Sequence, residues 1–131
     1  MVATPTWTAP FAENRVMGTT RYCLALDLID DAAKIAEYEA AHQKIWPAVR
    51  DHLLANGVVS MEIYRLGTRL FMLMEVNPAV YRAEVMAAAS AANPTIVEWE
   101  RLMWTFQAPT PWTPAGEKWV PMQRIFNLQD Q

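Results

Sequence analysis

Two β-rich segments joined by a two-residue turn constrain the fold of this chain more than any other feature. Val58–Leu66 alternates moderately between apolar and polar residues, and Arg69–Val76 is largely apolar. Only Gly67 and Thr68 separate them, and a connection of two residues is typical of an antiparallel hairpin. The chain therefore contains antiparallel strands, and its other segments must pack on the sheet that they form.

A strand and two helical pieces precede the hairpin, and two more helices follow it. Residues 21–28 are apolar and bounded by polar residues, which predicts a strand. A helix then ends at Pro47, which opens a second piece that ends at Asn56. After the hairpin, the alanine-rich residues 81–92 predict a helix, and Asn93-Pro94 separates it from the next one. The apolar faces of the first and last helices carry Ile35, Tyr38, His42 and Ile45, and Ile96, Trp99, Met103 and Phe106.

The two ends of the chain complete the predicted order. Residues 1–20 show no periodicity and predict an irregular arm, with Met17 as an alternative start, whereas residues 21–131 form a single domain. Residues 108–116 contain three prolines and predict a loop, and residues 118–128 predict a closing strand. The order β-α-β-β-α-β is the ferredoxin-like α+β pattern, an antiparallel sheet with helices on one face. A second copy is the simplest cover for the other face, which predicts a homodimer.

Composition limits the classes of function. A net charge of −3 argues against a nucleic-acid partner, because such proteins present a basic face. No apolar run approaches the roughly 18 residues of a membrane span. Cys23 is the only cysteine, and no basic segment followed by an apolar one opens the chain, so a cytoplasmic protein is expected. The 53% hydrophobic content, with 6 Trp and 8 Met, leaves apolar surface for a partner subunit or a ligand.

Tyr38 and His42 are the leading candidates for chemistry. Residues four apart on a helix share a face, with Cβ atoms about 5–6 Å apart, so the phenol and the imidazole point at the same place. Histidine exchanges protons near neutral pH, whereas tyrosine donates a hydrogen bond or acts as a weak acid. The alternative is that both side chains pack in the core and bond to backbone groups.

Aromatic and acidic residues near the late helix are further candidates. Trp99 could stack on the apolar face of a sugar ring, although aromatic stripes of this kind usually belong to a core. Glu75 ends a sheet strand, where a buried carboxylate needs a partner such as His42 or Arg124. The acidic residues that could hold sugar hydroxyl groups are Glu62, Glu75, Glu98 and Glu100.

The sequence predicts neither a metal nor a cofactor. His52, beside Asp51, is interpreted as a surface or capping residue, and no third ligand stands at a recognisable spacing from the two histidines. Cys23 is interpreted as a small apolar residue, because no nearby group would lower the pKa of its thiol. With 4 Gly in the chain, no glycine-rich phosphate loop is present.

Three segments together resemble the L-rhamnose mutarotase family over residues 21–128. They are the motif Tyr38-x-x-x-His42-x-x-Ile45-Trp46-Pro47, the hairpin and Glu98-Trp99-Glu100. The resemblance implies a dimeric α/β barrel that interconverts the α and β anomers of a deoxy sugar, with His42 as the proton donor and Tyr38 in contact with the sugar. It therefore implies catalytic roles for His42 and Tyr38. The residues that we expect to bind the sugar are Trp99, Glu100, Met61, Trp46 and Glu75.

Two departures from the family pattern suggest which sugar is bound. Met61 stands where rhamnose enzymes carry a tyrosine, and Glu100 stands where they carry the second residue of a Trp-Trp pair. Residues 21–28, 92–94 and 116–120 are more similar to the L-fucose branch, which favours L-fucose. The alternatives are an L-rhamnose mutarotase, a small monooxygenase of the same dimeric α/β-barrel fold, some of which degrade haem, and a non-catalytic sugar-binding or interaction protein.

Overall fold

The computed structural model describes residues 14–16 and 18–131. Its strands are β1 (Asn14–Val16), β2 (Thr19–Leu28), β3 (Val58–Leu66), β4 (Arg69–Val76), β5 (Gln107–Ala108) and β6 (Val120–Pro121). Its helices are α1 (Ala32–Gln43), α2 (Pro47–Ala55), α3 (Ala83–Ala92) and α4 (Pro94–Trp104), with a 3₁₀ turn at Leu128–Asp130.

The sheet is antiparallel and is organised around β2. Along one edge, β2 pairs with β4 from Thr20↔Val76 to Asp27↔Arg69, and β3 continues the sheet beyond β4. The short strands β1, β5 and β6 also pair with β2. This arrangement confirms the predicted α+β class and the predicted hairpin.

The two faces of the sheet differ because side chains alternate along each strand. Leu24, Leu26 and Leu28 of β2 and the even-numbered residues of β4 are buried against the helices. The odd-numbered residues of both strands, such as Cys23 and Leu73, lie on the other face, where the described helices do not pack. The core therefore lies on one side of the sheet only.

The breaks between helices lie where the sequence predicts, although α3 begins at Ala83 and not at residue 81. The Asp31 side chain accepts a hydrogen bond from the backbone N–H of Lys34 at 3.0 Å and caps α1. Pro47 opens α2 and Pro94 opens α4, positions where the missing N–H costs nothing. The Asn93 side chain caps α4. The break at Pro47 turns the chain so that α1 and α2 can follow different directions.

Two predictions about the chain ends need correction. The closing strand predicted at residues 118–128 is reduced to Val120–Pro121, because Pro121 has no N–H to extend a ladder. Within the predicted arm of residues 1–20, Asn14–Val16 is a strand and β2 already begins at Thr19. Residues 1–13 and Met17 lie outside the described residues.

We expect Gly57→Ala to destabilise the fold more than Gly67→Ala. Both glycines have positive φ, +91° and +59°, which disfavours a side chain by about 1–2 kcal/mol. A Cβ at Gly57 would also lie 2.8 Å from the backbone nitrogen of Tyr81, whereas no atom lies within 4 Å at Gly67. Urea unfolding should give a loss of about 1–2 kcal/mol for Gly67→Ala and about 1–3 kcal/mol more for Gly57→Ala. Equal losses would contradict the close approach at Tyr81.

Candidate active site

Helix α1 brings Tyr38 and His42 together as the spacing predicts. Their ring centroids lie 4.3 Å apart, and His42 Nδ1 lies 2.8 Å from the backbone carbonyl oxygen of Tyr38. Because a carbonyl oxygen can only accept, Nδ1 carries the hydrogen and donates it. In the neutral imidazole the other nitrogen, Nε2, is then left as a proton acceptor. The ring is thus held in the tautomer that a general base needs.

An indole of α4 contacts the imidazole, and a second indole supports the first. The Trp99 ring meets His42 edge-on with centroids 5.7 Å apart, and it meets Trp46 in the same way at 5.1 Å. Trp99 is buried, and Phe106 packs edge-on against Tyr38 at 6.1 Å. Such edge-to-face contacts are favourable beyond the area they bury. They fix the His42 ring between α1 and α4.

The phenol of Tyr38 is buried and stays protonated. Burial raises its pKa to about 12, the side-chain hydrogen bond with Gln107 acts in the opposite direction, and the carboxylate of Glu100 raises it further. At neutral pH the hydroxyl group therefore acts as a hydrogen-bond donor and not as a base. This environment also places Glu100 and Gln107 beside Tyr38.

Glu100 forms an ion pair with Lys118, a residue that the sequence reasoning did not single out. Lys118 Nζ lies 3.3 Å from Glu100 Oε2 and 3.3 Å from the backbone oxygen of the same residue. It also lies 4.9 Å from the centroid of the Trp104 ring, a cation–π contact. Burial raises the pKa of the Glu100 carboxyl, and Lys118 opposes that shift. The pair therefore keeps a charged acceptor in a mostly buried wall.

A cavity of about 1220 Å³ lies between the helices and the sheet. Five of the seven predicted site residues line it: Tyr38, His42, Met61, Trp99 and Glu100. A sixth, Trp46, packs against Trp99. Apolar residues of the sheet, including Ile63, Met72 and Met74, form its floor. The cavity thus combines an apolar floor with a polar wall, which suits a ligand with both kinds of surface.

Glu75 does not share this cavity. It belongs to the odd-numbered residues of β4, on the opposite face of the sheet, and Arg21 NH2 lies 3.3 Å from its Oε1. The expected partners were His42 and Arg124, and Arg124 instead pairs with Asp130 at 3.5 Å. The alternation of side chains along β4 separates Glu75 from His42.

His52 lies in the cavity wall, although the sequence interpretation placed it at the surface. Its Nε2 is 2.7 Å from Ser90 Oγ, a hydrogen bond that joins α2 to α3. Partial burial lowers the pKa of the imidazole, so the ring is neutral at neutral pH. Its partner Ser90 is far away in the sequence, and no pattern in the residues near His52 predicts this contact.

Two further residues of the cavity wall were missed. The Tyr81 hydroxyl group and Gln107 Oε1 are buried without a hydrogen-bond partner among the described residues. Within residues 14–16 and 18–131, no group of three His, Cys, Asp or Glu side chains is arranged to hold a metal ion. No helix in the same part of the chain is long and apolar enough to cross a membrane.

Comparisons with known proteins show the family to which this sequence is similar. A family model described as L-rhamnose mutarotase matches residues 21–128. An L-fucose mutarotase of Xanthomonas campestris pv. campestris is 45% identical over 116 residues, 87% of this chain and 92% of that protein. A Dictyostelium discoideum protein designated UPF0734 is 34% identical over 110 residues, 82% of this chain and 88% of that protein.

Two solved structures share the fold. The L-rhamnose mutarotase of Formosa agariphila has a TM-score of 0.59 at 20% identity, covering 82% of this chain and 97% of that one. Tetracenomycin F2 cyclase of Streptomyces glaucescens has a TM-score of 0.54 at 16% identity, covering 82% of this chain and 96% of that one. These likenesses confirm the predicted fold class, that of the dimeric α/β barrels.

We expect Tyr38→Phe to flatten the pH dependence of stability above pH 10. The unfolded chain releases a tyrosine proton at about pH 10, whereas folded Tyr38 keeps it to about 12. The folded state therefore binds more protons in this window, and its free energy of unfolding falls as pH rises. Urea unfolding from pH 9 to about pH 12 should show a slope smaller by up to about 1.4 kcal/mol per pH unit in the variant.

Tyr81→Phe is the positive control for this measurement, because burial also raises the pKa of Tyr81 to about 12. A slope for Tyr38→Phe equal to that of the wild type would contradict the buried, protonated phenol.

Proposed function

The chain belongs to the L-rhamnose mutarotase family and is a sugar mutarotase, and we propose that it interconverts the α and β anomers of L-fucose. One observation carries the catalytic part of the proposal: His42 Nδ1 is bound to the Tyr38 carbonyl, which leaves Nε2 for proton transfer beside a protonated phenol. The choice of L-fucose rests on the 45% identical relative and on the residues at positions 61 and 100.

Ring opening needs one proton to leave the anomeric hydroxyl group and one to reach the ring oxygen. In the proposed mechanism, His42 Nε2 accepts the anomeric proton as the bond between C1 and the ring oxygen breaks and the aldehyde forms. Tyr38 donates a hydrogen bond to the ring oxygen, which becomes negative, and the imidazolium then gives its proton to that oxygen. Rotation about C1–C2 and the reverse steps close the other anomer, so His42 is restored. General acid–base catalysis of this kind contributes about 10²–10⁴-fold.

The remaining wall suits a deoxy sugar. L-fucose carries a methyl group in place of the hydroxymethyl group of the parent hexose, and the cavity floor offers apolar partners at Met61 and Ile63. On the polar side, the Glu100 carboxylate can accept hydrogen bonds from ring hydroxyl groups, with Lys118 keeping it charged. Trp99 would form the side wall. L-fucose and L-rhamnose differ in configuration at C2 and C4, so the placement of these polar groups decides between them.

We also propose a homodimer, in which a second copy covers the open face of the sheet. Tyr64 and Leu66 of β3 are 54% and 77% exposed on that face, and Leu73 lies beside them on β4. In the C-terminal segment, Ile125 and Phe126 are also exposed, at 92% and 64%. Apolar surface of this extent on one side of a sheet is typical of an interface. A cytoplasmic location is part of the same proposal.

The catalytic proposal is tested by saturation transfer between anomeric protons in NMR. Wild-type protein should accelerate anomer exchange of L-fucose more than that of L-rhamnose, D-galactose or D-ribose. His42→Ala should slow the L-fucose exchange by about 10²–10⁴-fold, the contribution of general acid–base catalysis. His52→Ala removes the other imidazole from the same cavity wall and should keep the rate within about ten-fold. An unchanged rate in His42→Ala would rule out its proposed role, and faster exchange of L-rhamnose would replace L-fucose as the substrate.

The dimer is tested by sedimentation equilibrium over a range of concentrations. Leu73→Glu should shift the protein towards the monomer, because it places a charge on the proposed interface without a partner. Val85→Glu is the matched control, since Val85 is 55% exposed on α3 in the helical layer. The proposal fails if the wild type is a monomer, or if both variants have the same mass as the wild type.

A further inference from the structure

Gln107 carries a polar atom that the described protein does not satisfy. The residue is only 6% exposed, it lines the cavity, and its Oε1 has no hydrogen-bond partner among the described residues. Buried carbonyl oxygens in native proteins are almost always bonded, and an exception calls for an explanation. Because Gln107 lines the cavity that holds His42, a ligand in the cavity is the natural partner.

The backbone gives Gln107 a fixed position beside the catalytic pair. It lies in β5, where it pairs with Leu28 at the edge of β2, directly after Phe106, which packs on the Tyr38 ring. Its side chain is also a hydrogen-bond partner of the Tyr38 phenol. The amide nitrogen and Oε1 share one carbon atom, so an amide that meets the phenol through its nitrogen leaves Oε1 next to that phenol.

We propose that Gln107 binds a hydroxyl group of the sugar through Oε1 and, through its amide N–H, keeps the Tyr38 proton available to the substrate. The inference rests on the mutarotase function proposed above and adds a residue that selects the substrate. A phenolic oxygen that accepts from Gln107 has its own hydrogen free to donate into the cavity. Tyr38 and Gln107 then form a donor and an acceptor side by side, which can meet the oxygen and the hydrogen of sugar hydroxyl groups. The amide does not titrate and transfers no proton, so its role is binding and positioning.

A purely structural role makes the opposite predictions. If Gln107 served the fold alone, an apolar replacement of similar length would lower stability and leave kinetics unchanged. A buried polar atom that only a ligand satisfies lowers the free energy of unfolding of the ligand-free protein. Its removal should therefore leave that free energy unchanged or increase it, while substrate binding weakens. Stability and sugar recognition therefore have to be measured on the same variants.

Gln107→Met is the test variant. We expect its urea midpoint to equal or exceed that of the wild type, and its KM for L-fucose in anomer exchange to rise about ten-fold or more, with a smaller change in the maximal rate. The wild type should discriminate against some L-fucose analogue that lacks a single hydroxyl group, and Gln107→Met should lose most of that discrimination. Thr20→Val is the matched control: it also removes a buried oxygen without a partner among the described residues, but Thr20 does not line the cavity. Its exchange kinetics should equal those of the wild type.

A second measurement uses only the wild-type protein and does not depend on the folding of a variant. In the wild-type protein, the side-chain amide NMR signals of Gln107 should shift when L-fucose saturates the site. Absence of that shift, or unchanged KM and discrimination in a folded Gln107→Met, would overturn the role of Gln107 while exchange by the wild type still supported the mutarotase function. If the wild type exchanges the anomers of no sugar in the panel, the function and this inference both fall.

Discussion

The hydrogen bonding of β2 along both of its edges organises the sheet and the site. One edge carries β4 from Thr20 to Asp27, and Leu28 and Asp27 at its end also pair with β5. Because β5 follows α4 directly, this pairing fixes the end of α4 beside the end of β2, from which the chain continues into α1. Trp99 thereby meets His42, and Gln107 meets Tyr38. Groups separated by more than fifty residues in the sequence converge because one central strand accepts partners on both sides.

The contacts in this site fix the positions of the side chains and also determine which of their atoms carry hydrogen. The Tyr38 carbonyl fixes the hydrogen of His42 on Nδ1, and burial keeps the hydrogen on the Tyr38 phenol. Lys118 keeps a nearby carboxylate in a wall that would otherwise favour its neutral form. Electrostatic interactions are stronger in such a partly dry cavity than in water. The arrangement needs little reorganisation when a sugar arrives, which is the condition for efficient proton transfer.

Local signals made much of this structure predictable. The hairpin, the caps at Asp31 and Asn93 and the facing of Tyr38 and His42 all follow from residues close together in the sequence. Glu75 could also have been assigned correctly, because Leu70, Met72 and Met74 alternate with it and mark the opposite face as the core. The position of Glu75 in the strand, and not its residue type, decides which face of the sheet it occupies.

Other features lay beyond local reasoning. The closing strand pairs with Leu24 and Ala25 of β2 at the other end of the chain, and nothing near Val120 in the sequence identifies these partners. The hydrogen bond between His52 and Ser90 spans 38 positions, and the Glu100–Lys118 pair spans 18 across a loop. The sequence shows which residues can ionise or donate, but their partners are known only when the fold brings distant segments together.

Sugar recognition in this chain cannot be assigned to Glu100 alone. A carboxylate that replaces an indole in a buried wall loses solvation, and it stays charged only if a cation comes with it. Lys118 is 5% exposed in its side chain, and its amine lies against both Glu100 and the Trp104 ring. Changing Glu100 towards an aromatic residue would therefore strand a buried lysine, so the two positions form one unit. In the proposed function, this unit binds sugar hydroxyl groups on the side of the cavity opposite the apolar floor at Met61. In that proposal, a preference for one deoxy sugar over another depends on this pair and on Gln107, whereas His42 and Tyr38 do the same chemistry in either case.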